Sequence, residues 1–144
     1  MKFRTLIGFS ILVLLTNLIN AQDLSKHQWN NRVLLIITED TGNTVFQNQI
    51  NSLNNQDQAL KERKLLVYQI SPTHYKIGIS EHHTWTVSQK LYRQFKTEKT
   101  SFVVLLIGLD GSVKQKQDHI LNPKTLFNII DGMPMRLSEI RGNK

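Results

Sequence analysis

The stretch "RVLLIITEDTGNTVFQ" (residues 32–47) predicts a strand, a polar loop and the start of a helix. Its opening, RVLLIIT, is a nearly unbroken apolar run rich in Val and Ile, which is typical of strands covered on both faces. Beyond the loop, Phe46, Ile50 and Leu53 are spaced i, i+4 and i+7, the buried stripe of an amphipathic helix. A buried strand that leads into such a helix indicates an α/β domain.

Three more strands are predicted further along the chain. KLLVYQI (residues 64–70) and SFVVLLIG (residues 101–108) are apolar runs, and a fourth strand follows the hairpin turn at Asp110 and Gly111. Lysines at alternate positions of the fourth strand are typical of a sheet edge. The order β-α-β-α-β-β-α predicts a mixed four-stranded sheet with helices packed on it. Its first two strands are expected to be parallel and its last two antiparallel.

The segment between the second and third strands is predicted to be an irregular loop and then a helix. In the loop SPTHYKIGIS (residues 71–80), Tyr75 and Ile77 are expected to be exposed. This loop is either a partner-binding segment or an ordinary long connection. The helix in TWTVSQKLYRQFK (residues 84–96) is predicted from a stripe of three apolar residues: Val87, Leu91 and Phe95.

The closing helix has clear start and stop signals. Asn122 is a good N-cap and Pro123 fits the first helical position. Gly132 can take the left-handed conformation that ends many helices. After it, the Arg136 guanidinium is expected to hold helix-end carbonyl groups or to pair with Glu139, although a role in binding stays open.

The N-terminal segment has the pattern of a secretory signal peptide. Lys2 and Arg4 precede an apolar stretch at residues 6–19, and the small residue Ala21 follows. We expect export to the periplasm or the cell exterior, with cleavage after Ala21 and a single mature domain at residues 22–144. The alternative is an uncleaved anchor, but the stretch is short for a spanning helix.

The composition excludes several classes of function. The chain has no cysteine, so thiol catalysis and thiolate metal sites are ruled out. Removal of the two cations in the predicted signal segment lowers the formal charge from +7 to +5, which is a mild excess. Because no aromatic residues interleave with long basic runs, we expect no nucleic-acid partner, and no membrane contact after cleavage. We expect no cofactor.

Four segments together resemble one known family. They are "NRVLLIITED", "ERKLLVYQI", "FVVLLIGLDGSVKQKQ" and "IIDGMPMRLSEI". The family is a domain of unknown function that occurs in small secreted bacterial proteins and in vertebrate extracellular-matrix proteins with sushi repeats. It is distantly similar to peroxiredoxins and thioredoxins. The resemblance implies a thioredoxin-like fold and an exported protein, but it supplies no activity and no catalytic residues.

A thioredoxin-like fold would place a redox loop directly after the first strand. The attacking cysteine would lie near the N-terminus of the next helix, where the helix dipole lowers the pKa of a thiol. Here that place has TGNT (residues 41–44). The opposite position, before the third strand, would hold a cis-proline, and here it has KTS (residues 99–101). Both halves of a thiol redox site are therefore missing.

The loop after the first strand holds most of the candidate binding residues: Glu39, Asp40, Thr41, Asn43 and Thr44. The two carboxylates could act with a threonine in acid–base chemistry. Alternatively, they solvate the loop and favour the positive end of the following helix, which Asn43 or Thr44 can cap. The start of that helix could also bind an anion through its backbone N–H groups.

The histidines do not predict a metal site. His74, His82 and His83 lie within ten residues of one another, but neighbouring residues rarely converge on one ion, and a zinc site needs three or four ligands. We therefore assign no metal.

The leading hypothesis is an exported, non-catalytic thioredoxin-like domain that binds another macromolecule or a small anion. Tyr75 and Arg136 complete its candidate binding residues. One alternative is a cysteine-free enzyme that uses the loop at residues 39–44. The other is a surface module that binds polyanions through the excess of Lys and Arg.

Overall fold

The computed structural model describes residues 24–142, so the predicted signal segment lies outside the described residues. The strands are β1 (Arg32–Thr38), β2 (Leu65–Ile70), β3 (His74–Ile77), β4 (Thr86–Val87), β5 (Phe102–Ile107) and β6 (Val113–Gln117). The helices are α1 (Thr44–Ser52), α2 (Asp57–Glu62), α3 (Lys90–Phe95), α4 (Pro123–Asp131) and α5 (Pro134–Gly142). None of the helices in this part of the chain is long and apolar enough to cross a membrane.

The strands form one mixed sheet in the order β4-β3-β2-β1-β5-β6. As predicted, β1 and β2 are parallel, and β5 and β6 form an antiparallel hairpin. The sheet has six strands and not the four predicted, because β3 and β4 extend it beyond β2. Residues 74–77 were expected to be a loop, yet they pair antiparallel with β2, with Tyr75 opposite Ile70.

The predicted helix at residues 84–96 is wrong in its first half. Thr86 and Val87 pair with β3, and the Ser88 N–H then donates to the Thr73 carbonyl, so the backbone stays in the sheet up to that point. The helix α3 begins only at Lys90. Val87 is consequently 76% exposed, whereas Leu91 is buried as the stripe predicted.

Strand β1 is buried along its whole length because helices cover both faces of the sheet. Leu34 and Ile36 point to a core that includes Phe46 of α1 and Leu126 and Ile130 of α4. The alternate residues point to the opposite core, which α3 covers through Leu91: they are Val33, Leu35 and Ile37. This period of two confirms that the apolar run is a strand with two buried faces.

Both predicted N-caps are confirmed. The Asn43 side chain accepts from the Val45 and Phe46 N–H groups, and the Asn122 side chain accepts from the Lys124 N–H. The predicted left-handed stop at Gly132 is wrong, since its φ is −83°. The chain turns there into α5, which begins at Pro134, a position where the missing N–H of proline costs no hydrogen bond.

Candidate functional site

The polar loop after β1 is closed by hydrogen bonds between its own residues. The Thr38 hydroxyl donates to the Asp40 carbonyl at 2.7 Å and accepts from the Asp40 N–H at 3.2 Å. The Asp40 carboxylate accepts from the Gly42 N–H at 2.8 Å. The Gln47 side-chain amide donates to the Thr41 carbonyl at 2.6 Å. This network fixes the loop before any ligand arrives.

The two neighbouring carboxylates of the loop have different partners. Glu39 pairs with the Lys96 ammonium at 3.5 Å, and its side chain is 52% exposed. The Asp40 carboxylate instead accepts from the Gly42 N–H within the loop. The structure therefore assembles neither a carboxylate dyad nor a carboxylate–threonine pair of the kind that acid–base chemistry needs.

At the start of α1, two backbone N–H groups already have a hydrogen-bond partner within the protein. The Asn43 side chain takes the Val45 N–H at 2.8 Å and the Phe46 N–H at 3.4 Å. A bound anion would use these same donors, because the first N–H groups of a helix lack partners inside the helix. Thr41 and Thr44 are exposed beside them. The predicted anion site at this helix start would have to displace the cap.

The loop forms one wall of an open cleft at the carboxyl ends of β1 and β2. The cleft has a volume of about 560 Å³. We call it the strand-end cleft, and it is lined by Glu39, Asp40, Thr41, Ser71, Pro72, Thr73, His74 and Trp85. The half-buried Trp85 ring packs against the core, and the Lys76 ammonium lies 5.2 Å from the ring centroid. The cleft thus combines an aromatic wall with a polar rim.

Tyr75 is not exposed as the sequence predicted. It is half-buried, and its ring stacks on the Tyr68 ring at a centroid distance of 6.0 Å and an interplanar angle of 14°. Ile77 is also half-buried and packs against the same core. Both residues lie on β3, so pairing with β2 places their side chains against the core and not in solvent.

The histidines of the middle segment lie in different settings. His74 is on β3 and its Nδ1 contacts the Thr73 hydroxyl at 2.8 Å. His82 and His83 are exposed in a turn. Within residues 24–142, no group of three or more His, Asp and Glu side chains is placed to hold a metal ion.

Arg136 lies at the other end of the sheet and is 88% buried, with 12% of its side chain exposed. Its guanidinium pairs with Asp131 at 3.2 Å and with Glu139 at 3.3 Å, which confirms the predicted contact with Glu139. It also donates to the Glu62 carbonyl at 2.9 Å. That carbonyl belongs to the end of α2, so the prediction of carbonyls from the preceding helix was wrong.

Sequence reasoning missed the rest of this cluster. We call it the guanidinium cluster; it consists of Arg32, Arg63, Arg136, Asp131 and Glu139. Arg32 is fully buried, and its Nη1 donates to the Arg63 carbonyl at 2.9 Å and approaches the Glu139 carboxylate at 3.4 Å. Arg63 pairs with Asp131 at 2.6 Å and lies over the Phe127 ring. The sequence feature that could have indicated this cluster is Arg32, a charged residue at the start of an apolar strand.

The cluster changes the acidity of one carboxyl group. Partial burial acts to raise the pKa of Asp131, but hydrogen bonds from Arg63 and Arg136 outweigh it. The pKa of Asp131 therefore lies below its ordinary value of 3.8. The carboxylate is held in its charged form by two guanidinium groups.

This fold and the absence of a thiol at the strand-end loop define a thioredoxin-like domain without a thiol redox centre. A family model described as "Domain of unknown function (DUF4174)" matches residues 23–139, and the chain belongs to that family. No curated protein matches the sequence.

The chain is similar to a solved structure, a reduced 2-Cys peroxiredoxin of Plasmodium vivax. The TM-score is 0.59 and the sequence identity is 16%, over 83% of this chain and 72% of that chain. At this identity the likeness shows the fold alone. It confirms the predicted thioredoxin-like class.

Proposed function

We propose that this protein is a binding domain without thiol redox activity, and that a polypeptide segment of a partner binds in the strand-end cleft. One observation carries the proposal. The two loop carboxylates that could do acid–base chemistry already have partners, Asp40 within the loop and Glu39 at Lys96, whereas the cleft beside them stays open and has an aromatic wall. Crevices outside the carboxyl ends of parallel strands are common ligand sites in α/β folds.

The lining of the cleft supports a peptide ligand. Trp85 and Pro72 offer apolar surface, and aromatic residues are enriched where proteins contact partners. The exposed Thr73 and the half-buried His74 add hydrogen-bonding groups at the rim. The alternative of a cysteine-free enzyme has less support. Glu39 and Asp40 both line the cleft, but Glu39 is paired with Lys96 and Asp40 accepts from the Gly42 N–H, so the two carboxylates do not act as one acid–base pair.

The proposal includes export. The charged, apolar and small-residue order of residues 1–21 supports it. The intact mass of the protein recovered outside the cytoplasm tests this. We expect a chain that begins at Gln22, and a membrane-bound species that retains residues 1–21 would contradict it.

A blocked cleft tests the binding role. Thr41 is exposed and lines the cleft, so Thr41→Arg places a long side chain in it without touching the core. Thr125→Arg makes the same change on an exposed position of α4 and is the matched control. We expect partners captured from an extracytoplasmic extract by the wild type to be lost with Thr41→Arg and kept with Thr125→Arg. Equal capture by both variants would contradict the assignment of the cleft.

A further inference from the structure

The guanidinium of Arg32 is the least satisfied charged group among residues 24–142. Its side chain is fully buried, yet Nε and Nη2 have no hydrogen-bond partner in this part of the chain. All its bonds use Nη1, which contacts the Arg63 carbonyl and Glu139. A buried donor without an acceptor is costly and calls for an explanation, one of which is that a water, an ion or a ligand binds there.

The two free donors lie on one edge of the guanidinium plane. Nε–H and the nearer N–H of Nη2 point in parallel, and this edge is the fork that binds both oxygens of a carboxylate. Nη1, on the other side, holds the protein contacts. The vacant donors therefore have the geometry for one bidentate oxyanion.

Arg32 lines a cavity of about 210 Å³ at the amino end of β1. This volume is several times the roughly 30 Å³ of one water molecule. The other walls come from the turn between β5 and β6 and from the junction of α4 and α5. Four of the lining residues are apolar: Leu109, Met133, Pro134 and Met135. We call this cavity the Arg32 pocket.

The charges around the pocket favour a ligand with a single negative charge. In the guanidinium cluster, three guanidinium groups share two carboxylates, so one guanidinium charge is left over; the Lys64 ammonium also pairs with Glu139, but it is 54% exposed and its charge is screened by solvent. Across the pocket, Lys114 is already paired with Asp110 at 2.8 Å. Hydrogen bonds from Lys114 and Ser112 lower the pKa of Asp110 to about 2, so this carboxylate stays charged and keeps Lys114 neutralised, which leaves no free cation there for a second negative charge on a ligand.

We propose that the Arg32 pocket binds a monocarboxylate with a short apolar tail. The two carboxylate oxygens accept from Nε and Nη2 of Arg32, and the tail packs against the methionines and Leu109. The same chemistry belongs to a free short-chain acid and to the C-terminal carboxylate of a peptide that ends in an apolar residue. The site lies at the opposite end of β1 from the strand-end cleft, so the two proposals stand independently.

Titration of the full chain with hexanoate tests the charge requirement. We expect saturable heat in calorimetry and a shift of one arginine Nε–H signal in NMR, a signal that Arg32→Lys removes. Hexanamide has a closely similar shape without the charge, and it should bind about ten-fold more weakly or worse, because hydrogen bonds between charged groups are the stronger ones. No saturation with hexanoate would mean that only water occupies the pocket, and this overturns the proposal.

A second pair of variants keeps the test valid if Arg32→Lys fails to fold. Met135 lines the pocket and is 40% exposed, in the first turn of α5. Met135→Glu puts a negative charge beside the pocket, where a helix start tolerates it. Met135→Gln has nearly the same shape without the charge and is the control. We expect hexanoate affinity to fall about ten-fold or more with Glu and much less with Gln; equal affinity in both overturns the proposal.

The source of the ligand is tested with one further probe. N-acetyl-leucine presents an apolar side chain and a carboxylate as the C-terminus of a peptide does. If N-acetyl-leucine binds more tightly than hexanoate, and this binding is lost in Met135→Glu, the ligand is a peptide terminus. If hexanoate binds more tightly than N-acetyl-leucine, the ligand is a free acid. Inorganic phosphate that binds the Arg32 pocket and resists displacement by hexanoate overturns the monocarboxylate assignment.

Discussion

The two ends of strand β1 satisfy their polar groups in opposite ways. At the carboxyl end, hydrogen bonds from Thr38 to Gln47 span between two and six residues of sequence. At the amino end, Arg32 contacts residues 31 and 107 positions away, and Arg136 contacts a carbonyl 74 positions away. The carboxyl end is held mainly by local hydrogen bonds, with Glu39 as the link to Lys96 and Ser101, while the amino end ties α2, α5 and the sheet together.

The two ends also differ in solvent access. Glu39, at the carboxyl end, is 52% exposed; its partner Lys96 is only 5% exposed, but the Lys96 ammonium also donates to the Glu98 carbonyl, so it does not depend on Glu39 alone. Glu139, at the amino end, is 17% exposed beside a fully buried Arg32. Removal of one partner from a buried ion pair leaves an uncompensated charge and is strongly destabilising. Substitution of Glu139 should therefore lower the free energy of unfolding much more than the same substitution of Glu39.

The largest expected effect is that of Glu139→Gln. Glu139 faces the guanidinium groups of Arg32 and Arg136 and the Lys64 ammonium. Without its charge, these three cations lose their shared carboxylate. We expect a loss of about 3 kcal/mol in the free energy of unfolding, the size typical of a broken buried pair. Urea unfolding measures it.

The matched control is Glu39→Gln at the carboxyl end. We expect it to cost about 1 kcal/mol, because solvent screens the half-exposed Glu39 carboxylate and the buried Lys96 ammonium keeps its bond to the Glu98 carbonyl. If Glu139→Gln and Glu39→Gln lose similar amounts of unfolding free energy, the two ends of β1 do not differ in how much their ion pairs stabilise the fold.

The second effect is that of Arg136→Ala. It removes the donor to the Glu62 carbonyl and the contacts with Asp131 and Glu139, although other cations still face both carboxylates. We expect a loss of about 1–3 kcal/mol, the contribution typical of hydrogen bonds that involve a charged group. Arg136→Lys should recover only part of it, because an ammonium lacks the planar fork. If both variants unfold at the wild-type midpoint, Arg136 is not an anchor and becomes a binding candidate again.

At the carboxyl end, the cap of α1 has a smaller expected effect. Asn43→Ala frees the Val45 and Phe46 N–H groups and should cost about 1 kcal/mol, the usual loss for an N-cap. Asn122→Ala at the start of α4 removes a single capping bond, and we expect a cost of about the same size or less. Thermal unfolding of both variants checks this. No change in either melting temperature would mean that these caps do not stabilise the helices.

Local patterns predicted the parts of the fold that local interactions determine. The apolar runs located β1, β2 and β5, and the capping residues located the starts of α1 and α4. Strand β3 has the sequence HYKI, which carries little apolar signal, and it is a strand because it pairs with the edge of β2. Whether β3 forms depends on its pairing with β2, which the sequence of β3 alone does not indicate.

The candidate sites follow the same rule. The loop at the carboxyl end could be interpreted from sequence, since Asp40 and Asn43 bond to groups within three residues. Arg32 bonds to groups far along the chain, so its burial and its free donors were not foreseeable from the residues around it. Tyr75 was placed wrongly because its exposure depended on whether β3 joins the sheet.

The smallest expected effect concerns the acid sensitivity of the amino end. The pKa of Asp131 is lowered in the folded protein, so the folded carboxyl group binds a proton less readily than the unfolded one. The stability that it contributes is therefore fully present above its ordinary value of 3.8 and is lost as the pH falls through the folded pKa. The side chain is 34% exposed, so solvent screening limits the contribution to about 1 kcal/mol or less.

The comparison of wild type with Asp131→Asn over a range of pH isolates this contribution. Near neutral pH, we expect the wild type to be the more stable of the two in urea. The difference should shrink below pH 3.8 and disappear once the folded carboxyl is protonated. Asn43→Ala, at the other end of β1, should instead run parallel to the wild type, because an amide cap does not titrate. A gap between wild type and Asp131→Asn that stays constant down to the lowest pH would show that Asp131 acts by shape or hydrogen bonding, and that its charge does not distinguish the two ends of the strand.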